Sequence, residues 1–98
     1  MSYIQHFSES DTLVIKGDLV AHTVMDVLSE MTLYNKLNQW VVNLSGVEKV
    51  DSSAIALLLE FIKLAQSLNI KISFSHVPKE LMAIAHLSQL DTFFSSPK

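Results

Sequence analysis

Apolar and polar positions alternate, fall into helical spacing, then alternate again, and this rhythm divides the 98-residue chain into seven predicted elements. Residues 3–7 (Tyr3-Ile4-Gln5-His6-Phe7) and 12–16 (Thr12-Leu13-Val14-Ile15-Lys16) are β-rich and read as strands. Ser8-Glu9-Ser10-Asp11 between them predicts the turn of an antiparallel hairpin, and Gly17 ends the second strand. Val20, Val24, Val27, Leu28 and Met31 then line one face of a helix, with His22, Asp26, Ser29 and Glu30 opposite. That spacing predicts a helix over 21–36, with Asn35 and Asn38 flanking its end. Trp40-Val41-Val42-Asn43-Leu44 reads as a short buried strand broken by Ser45-Gly46. The strongest helical pattern runs over 53–68 and stops at Asn69. Residues 70–75 alternate as a strand, and Pro78 opens a last helix with a stripe of Leu81, Ile84, Ala85 and Leu87. Thr92-Phe93-Phe94 reads as a final short strand or an apolar anchor. The order is β-β-α-β-α-β-α(-β). It predicts a single α/β domain over 1–98, with a small mixed, mostly parallel sheet and helices packed on it.

The second helix carries more apolar surface than one sheet face needs. On a wheel starting at Ile55, its Leu, Ile, Phe and Ala positions fill an arc of roughly 220°, about twice the requirement. Glu60, Lys63, Gln66 and Ser67 occupy the polar remainder. Ser52, if helical, falls at the polar edge beside Ala56, Leu59 and Lys63. A neighbouring helix covering the excess accounts for it. A docking surface for another protein around Ser52, Ile55, Ala56 and Leu59 also accounts for it, and one edge can serve both. At the strand-to-helix junction, Val50-Asp51-Ser52-Ser53 offers Asp and Ser side chains as N-caps, and capping by at least one of the two serines is expected. A phosphate on such a serine would meet unpaired N–H groups and the positive end of the helix dipole, opposed by the Asp51 charge.

Composition narrows the function classes. Hydrophobic residues make up 49% and charged residues 17%, so the chain can build a core. A domain of this mass buries roughly 65% of its unfolded surface. Seven Lys+Arg against ten Asp+Glu give a net charge of −3, which argues against binding nucleic acid or an anionic membrane. There is no cysteine, hence no disulfide framework and no thiol nucleophile. The longest apolar run, residues 54–59, is far short of the ~20 residues that span a bilayer. The start lacks a basic region followed by an apolar one, so no signal peptide and a cytoplasmic address are expected.

Catalytic chemistry is not expected either. Gly17 and Gly46 stand apart, so no glycine-rich loop cradles phosphate. No G-x-S-x-G elbow frames a serine. His6, His22, His76 and His86 form no pair at metal-ligand spacing, and Glu48 and Asp51 read as solvated loop charges. No catalytic residue, metal site or cofactor is predicted, and the chain is read as a non-enzyme. A soluble lipid carrier would need an enclosed cavity, whereas a chain this small with bulky Leu, Ile and Phe throughout is expected to pack solid.

Val42-Asn43-Leu44-Ser45, then Val47, then the run from Val50-Asp51-Ser52-Ser53 through Leu59 resemble the signature of STAS domains. In that family a strand ending in [D/N]-L-S leads through a loop to D-[S/T]-[S/G]-[G/A] at a helix start. The Gly17-Asp18-Leu19 corner and the element order fit as well. Ala56-Leu57-Leu58-Leu59-x-x-Ile62-x-Leu64-Ala65 and the ending Ile84-Ala85-His86-Leu87-Ser88-Gln89-Leu90 resemble the branch found as subunits of Mla-type phospholipid transporters. That resemblance implies a cytoplasmic, non-catalytic subunit at the inner membrane. It would be docked on the ATPase of an ABC transporter, and through it on the membrane permease, without inserting in the membrane. The transporter would move phospholipid to keep the outer membrane asymmetric. Asp51, Ser52 and Ser53 would lie at or near the contact, with Asp51 shaping the turn. Ile55, Ala56 and Leu59 would supply apolar contact, and Lys63 a rim charge. The other well-known branch, the anti-sigma factor antagonists, implies phosphorylation at the position of Ser52 by a partner kinase. Two departures weaken that branch: Val20 stands where an acidic residue is common, and Ala54 where glycine is usual. A homodimer in isolation stays open, since surplus apolar surface can also pair two copies.

Overall fold

The computed structural model describes residues 2–8, 10–87 and 89; the strand or anchor expected at Thr92-Phe93-Phe94 lies outside them. Strands β1 (Tyr3–Phe7) and β2 (Thr12–Leu19) form the antiparallel hairpin, with Gln5 opposite Val14. Helix α1 (Val24–Met31) runs on into a 3-10 turn, Thr32–Tyr34. Then come β3 (Gln39–Val50), α2 (Ser52–Ser67), β4 (Lys71–Ser75) and α3 (Lys79–Leu87). The sheet order is β1-β2-β3-β4, with β3 parallel to both of its neighbours. Among the described residues this is the α/β architecture and element order expected from the pattern.

Two successive right-handed crossovers stepping the same way along a sheet place their helices on one face. Side-chain alternation matches that layering. Ile4, Leu13, Ile15, Trp40, Val42, Leu44 and Phe74 are buried facing the helices, whereas Tyr3, Phe7, Ser45, Lys71 and Ser73 on the other face are exposed. The sheet row meets Val27 and Met31 of α1, Ala54, Leu57, Leu58, Phe61 and Ala65 of α2, and Leu81 and Ala85 of α3 in one continuous core. Trp40, fully buried, donates its indole N–H to the Tyr34 carbonyl at 3.0 Å, so the largest core side chain leaves no polar atom unpaired. Helix α2 lies between α1 and α3 above the sheet, and these neighbours cover most of its surplus apolar arc.

Three local expectations are corrected. Gly17 does not end the second strand, and Ser45-Gly46 does not break the third. The two strands stay paired past both glycines, with Lys16 opposite Gly46, Gly17 opposite Val47 and Leu19 opposite Val50, through two register shifts. Gly17 supplies the bulge with a φ of 98° that other residues avoid. Gly46 supplies close approach, since a Cβ there would lie 2.9 Å from Lys16 Cγ and 3.0 Å from the Ile15 carbonyl oxygen. The helix expected over 21–36 is shorter because Thr23 holds a turn ahead of it. Its hydroxyl donates to the Asp18 carbonyl (2.7 Å) and accepts the Val20 N–H (3.0 Å). At the far end of α2, Asn69 takes a φ of 58° and the Ile70 N–H reaches back to the Ala65 carbonyl (2.8 Å), the left-handed stop that its residue type announces.

Gly46→Ala should destabilise the protein by about 1–3 kcal/mol, because one of the atoms met by the new methyl is backbone. Urea unfolding should show a lower midpoint with an unchanged slope; an unchanged midpoint would mean the strands separate there at no cost.

Candidate functional site

Extension of β2 and β3 brings both chain exits, Leu19-Val20-Ala21 and Val50-Asp51-Ser52, to the same end of the sheet. Asp51 joins them. Its backbone N–H donates to the Leu19 carbonyl at 3.3 Å. Its Oδ1 accepts the Ser53 N–H at 2.8 Å, which caps α2, and its Oδ2 accepts the Ala21 N–H at 3.3 Å, which pins the loop ahead of α1. The capping expected of at least one serine thus falls to Asp51, and among the described residues neither the Ser52 nor the Ser53 hydroxyl has a hydrogen-bond partner. Asp reaches two amides on different segments because it has two acceptor oxygens; a serine hydroxyl at Ncap could serve one turn only.

Ser52 is exposed at the first position of α2, and the helix turns Ala56, Leu59 and Lys63 onto the same outward ridge. Ala56 and Lys63 are exposed and Leu59 is half-buried. Four of the residues singled out from the sequence therefore share one stripe. Ile55 does not belong to it. At 5% exposure it points into the core and cannot supply surface contact, a correction that follows from the 100° step between it and Ala56. Ser53 is half-buried beneath the ridge. Lys63 lies 3.5 Å from Glu60, an exposed pair one turn apart that contributes little to stability.

Sequence reasoning missed the contribution of α1. A groove of about 180 Å³ runs between the helices, lined by Val24, Met25 and Leu28 on one side and Ser53, Ala56 and Glu60 on the other. Met25 is 66% exposed, an unbranched apolar side chain beside the start of the α2 ridge. The signal was present, because Met25 is the apolar residue that breaks the otherwise polar outer face of α1. The four histidines do not gather here, and among the described residues no group of three His, Asp or Glu side chains is placed to hold a metal. No helix among them is long and apolar enough to cross a membrane.

The layering, the bulged strand pair and the Asp-Ser helix start define a STAS-type domain. The family model described as "Mlab, STAS domain" matches residues 3–95, and the chain belongs to that family. A curated relative from Haemophilus influenzae, the intermembrane phospholipid transport system binding protein MlaB, is 28% identical over 95% of this chain and 93% of its own length. Among solved structures, the anti-sigma factor antagonist SpoIIAA in its unphosphorylated form superimposes with a TM-score of 0.74 at 14% identity, covering 100% of this chain and 89% of that one. A structure titled Mglu matches with a TM-score of 0.60 at 19% identity, covering 78% of this chain and 19% of that chain. Those two likenesses concern the fold. They agree with the α/β, STAS-like architecture expected from the sequence.

Asp51→Ala should cost about 1–2 kcal/mol by removing the cap. Asp51→Asn, which keeps an acceptor oxygen, should cost less. Urea titrations of the two variants would order them, and equal losses would show that one acceptor oxygen cannot stand in for the bridge to both amides.

Proposed function

We propose that this protein is a non-catalytic subunit of a Mla-type intermembrane phospholipid transport system, docked on the cytoplasmic ATPase of the transporter through the outward ridge of α2 and the adjoining groove against α1. The observation that carries this reading is the match along nearly the whole chain to a MlaB relative, joined to family membership over residues 3–95. The geometry supports it in detail. The ridge from Ser52 to Lys63 is about 16 Å long at 1.5 Å per residue. A stable interface needs roughly 800 Å² from each partner. The ridge is too narrow for that by itself, so Met25 and Leu28 of α1 and the Ala21-His22 loop belong to the contact. Met25 is the apolar anchor in the groove, Ser52 a neutral hydrogen-bonding group at its end, and Lys63 a rim charge. Asp51 positions the two segments rather than touching the partner. In this reading the protein sits at the inner membrane through its partners and does no chemistry of its own.

The exposed Ser52 hydroxyl also suits a second reading, a phospho-switched antagonist in a sigma-factor pathway, to which the shared SpoIIAA fold lends support. A phosphate on Ser52 would gain from the α2 dipole and lose to the Asp51 carboxylate that already occupies the capping position.

Affinity purification of the tagged protein from its native host, read by mass spectrometry, separates the two. Recovery of an ABC ATPase with its permease supports the first reading. Recovery of a serine kinase, with phosphate on Ser52, replaces it with the second. Within the first reading, Met25→Glu and Ser52→Glu should each reduce ATPase recovery at least about tenfold by burying an unpaired charge. Lys36→Ser, in the connection that enters β3 at the end far from Asp51, should leave it unchanged. Full recovery with both glutamate variants would move the interface elsewhere.

A further inference from the structure

Among the described residues strand β1 is an edge strand, paired on one side only. In an antiparallel ladder, alternate residues turn both backbone polar groups toward the partner or away from it. The Ile4 N–H donates to the Glu30 carboxylate of α1 at 3.0 Å, so Ile4 faces away from β2, and His6 two residues on does the same. Glu30 stands at the end of an acidic flank of α1. With Asp26 and His22 it overhangs the groove beside Ser2 and Tyr3. A carboxylate reaching from a helix to the outward amide of an edge strand occupies the position that an added strand would need.

The edge it covers is complementary to itself. Two β1 strands placed antiparallel about Gln5 set Ile4 opposite His6 of the second copy, in a pair that exchanges both outward hydrogen bonds. The same register sets Tyr3 opposite Phe7 twice. These two aromatic rings are 46% and 45% exposed, on the sheet face that no described helix covers. Cross-strand aromatic pairs stabilise such ladders. The two-fold axis would run perpendicular to the sheet, which brings the Asp26-Glu30 flanks of both copies together. Hydrogen-bond competition and like-charge repulsion therefore act at the same place.

We infer that Glu30 is an edge guard. It holds β1 closed against a second copy of this chain, and removing it opens a two-fold, strand-to-strand dimer through Tyr3–Phe7. This does not depend on the transporter reading: the Tyr3–Phe7 edge is not part of the proposed docking face, which it borders only at His22.

The test is sedimentation equilibrium of the full chain over about a hundredfold concentration range. Wild type should stay at 11.0 kDa while Glu30→Ala rises toward twice that mass. Glu30→Ala with Phe7→Lys should return to the monomer, because a charge at the aromatic pair disfavours edge pairing. A Glu30→Ala protein that stays monomeric with an intact circular dichroism spectrum overturns the inference. So does association that persists in the double variant. Should Glu30→Ala fail to fold, amide exchange of the wild type decides. Ile4 should exchange at least about tenfold more slowly than His6, whose outward N–H meets no such carboxylate among the described residues; equal rates would remove the guard.

Discussion

The arrangement depends on how closely β2 and β3 approach at Gly46. A side chain there would press on Lys16 and on the Ile15 carbonyl, and the parallel pair would part halfway along its length. Because it does not part, the two strands run on to Leu19 and Val50 and release their chains side by side. Everything at the candidate site follows from that adjacency. Asp51 can bond an amide of its own helix and one of the preceding loop because the two lie within reach of one carboxylate.

A single face of the sheet then collects the helices, and α2 in the middle is covered on three sides. Such a helix needs apolar residues around most of its circumference, and its remaining ridge is narrow. The ridge keeps small or flexible groups, Ser52, Ala56 and Lys63, where a helix wholly committed to solvent would carry more charge. With Met25 beside it, the surface is mixed in polarity and held on rigid elements, which suits recognition of a protein partner more than capture of a small molecule. The chain belongs to the STAS family over residues 3–95, and the docking face proposed above is the physical form that a role beside a protein partner would take.

The opposite face and the outer edge follow different rules. Among the described residues the helices cover one side of the sheet; the other side is half-apolar, and its edge strand offers backbone groups to any chain that approaches. The acidic flank of α1 lies over that edge. One helix thus serves two purposes with two faces: Val27 and Met31 face the core, and Glu30 faces the strand edge.

The sequence by itself determined the element order, the fold class, the family and the stop at Asn69, because each rests on local chemistry: side-chain period, a positive-φ residue, an Asp-Ser helix start. It also placed Ser52, Ala56, Leu59 and Lys63 on one stripe, since helical geometry is fixed by the backbone. Tertiary structure alone decided that Ile55 lies inside and that Met25 stands against the start of α2, because which edge of an apolar arc is buried depends on where the neighbouring helices sit. It decided that two lone glycines continue strands rather than end them, since a glycine breaks a strand or admits a neighbour according to what stands opposite. It also gave the cap to Asp51 over the serines, because the second oxygen of the carboxylate finds an amide thirty residues away in the chain.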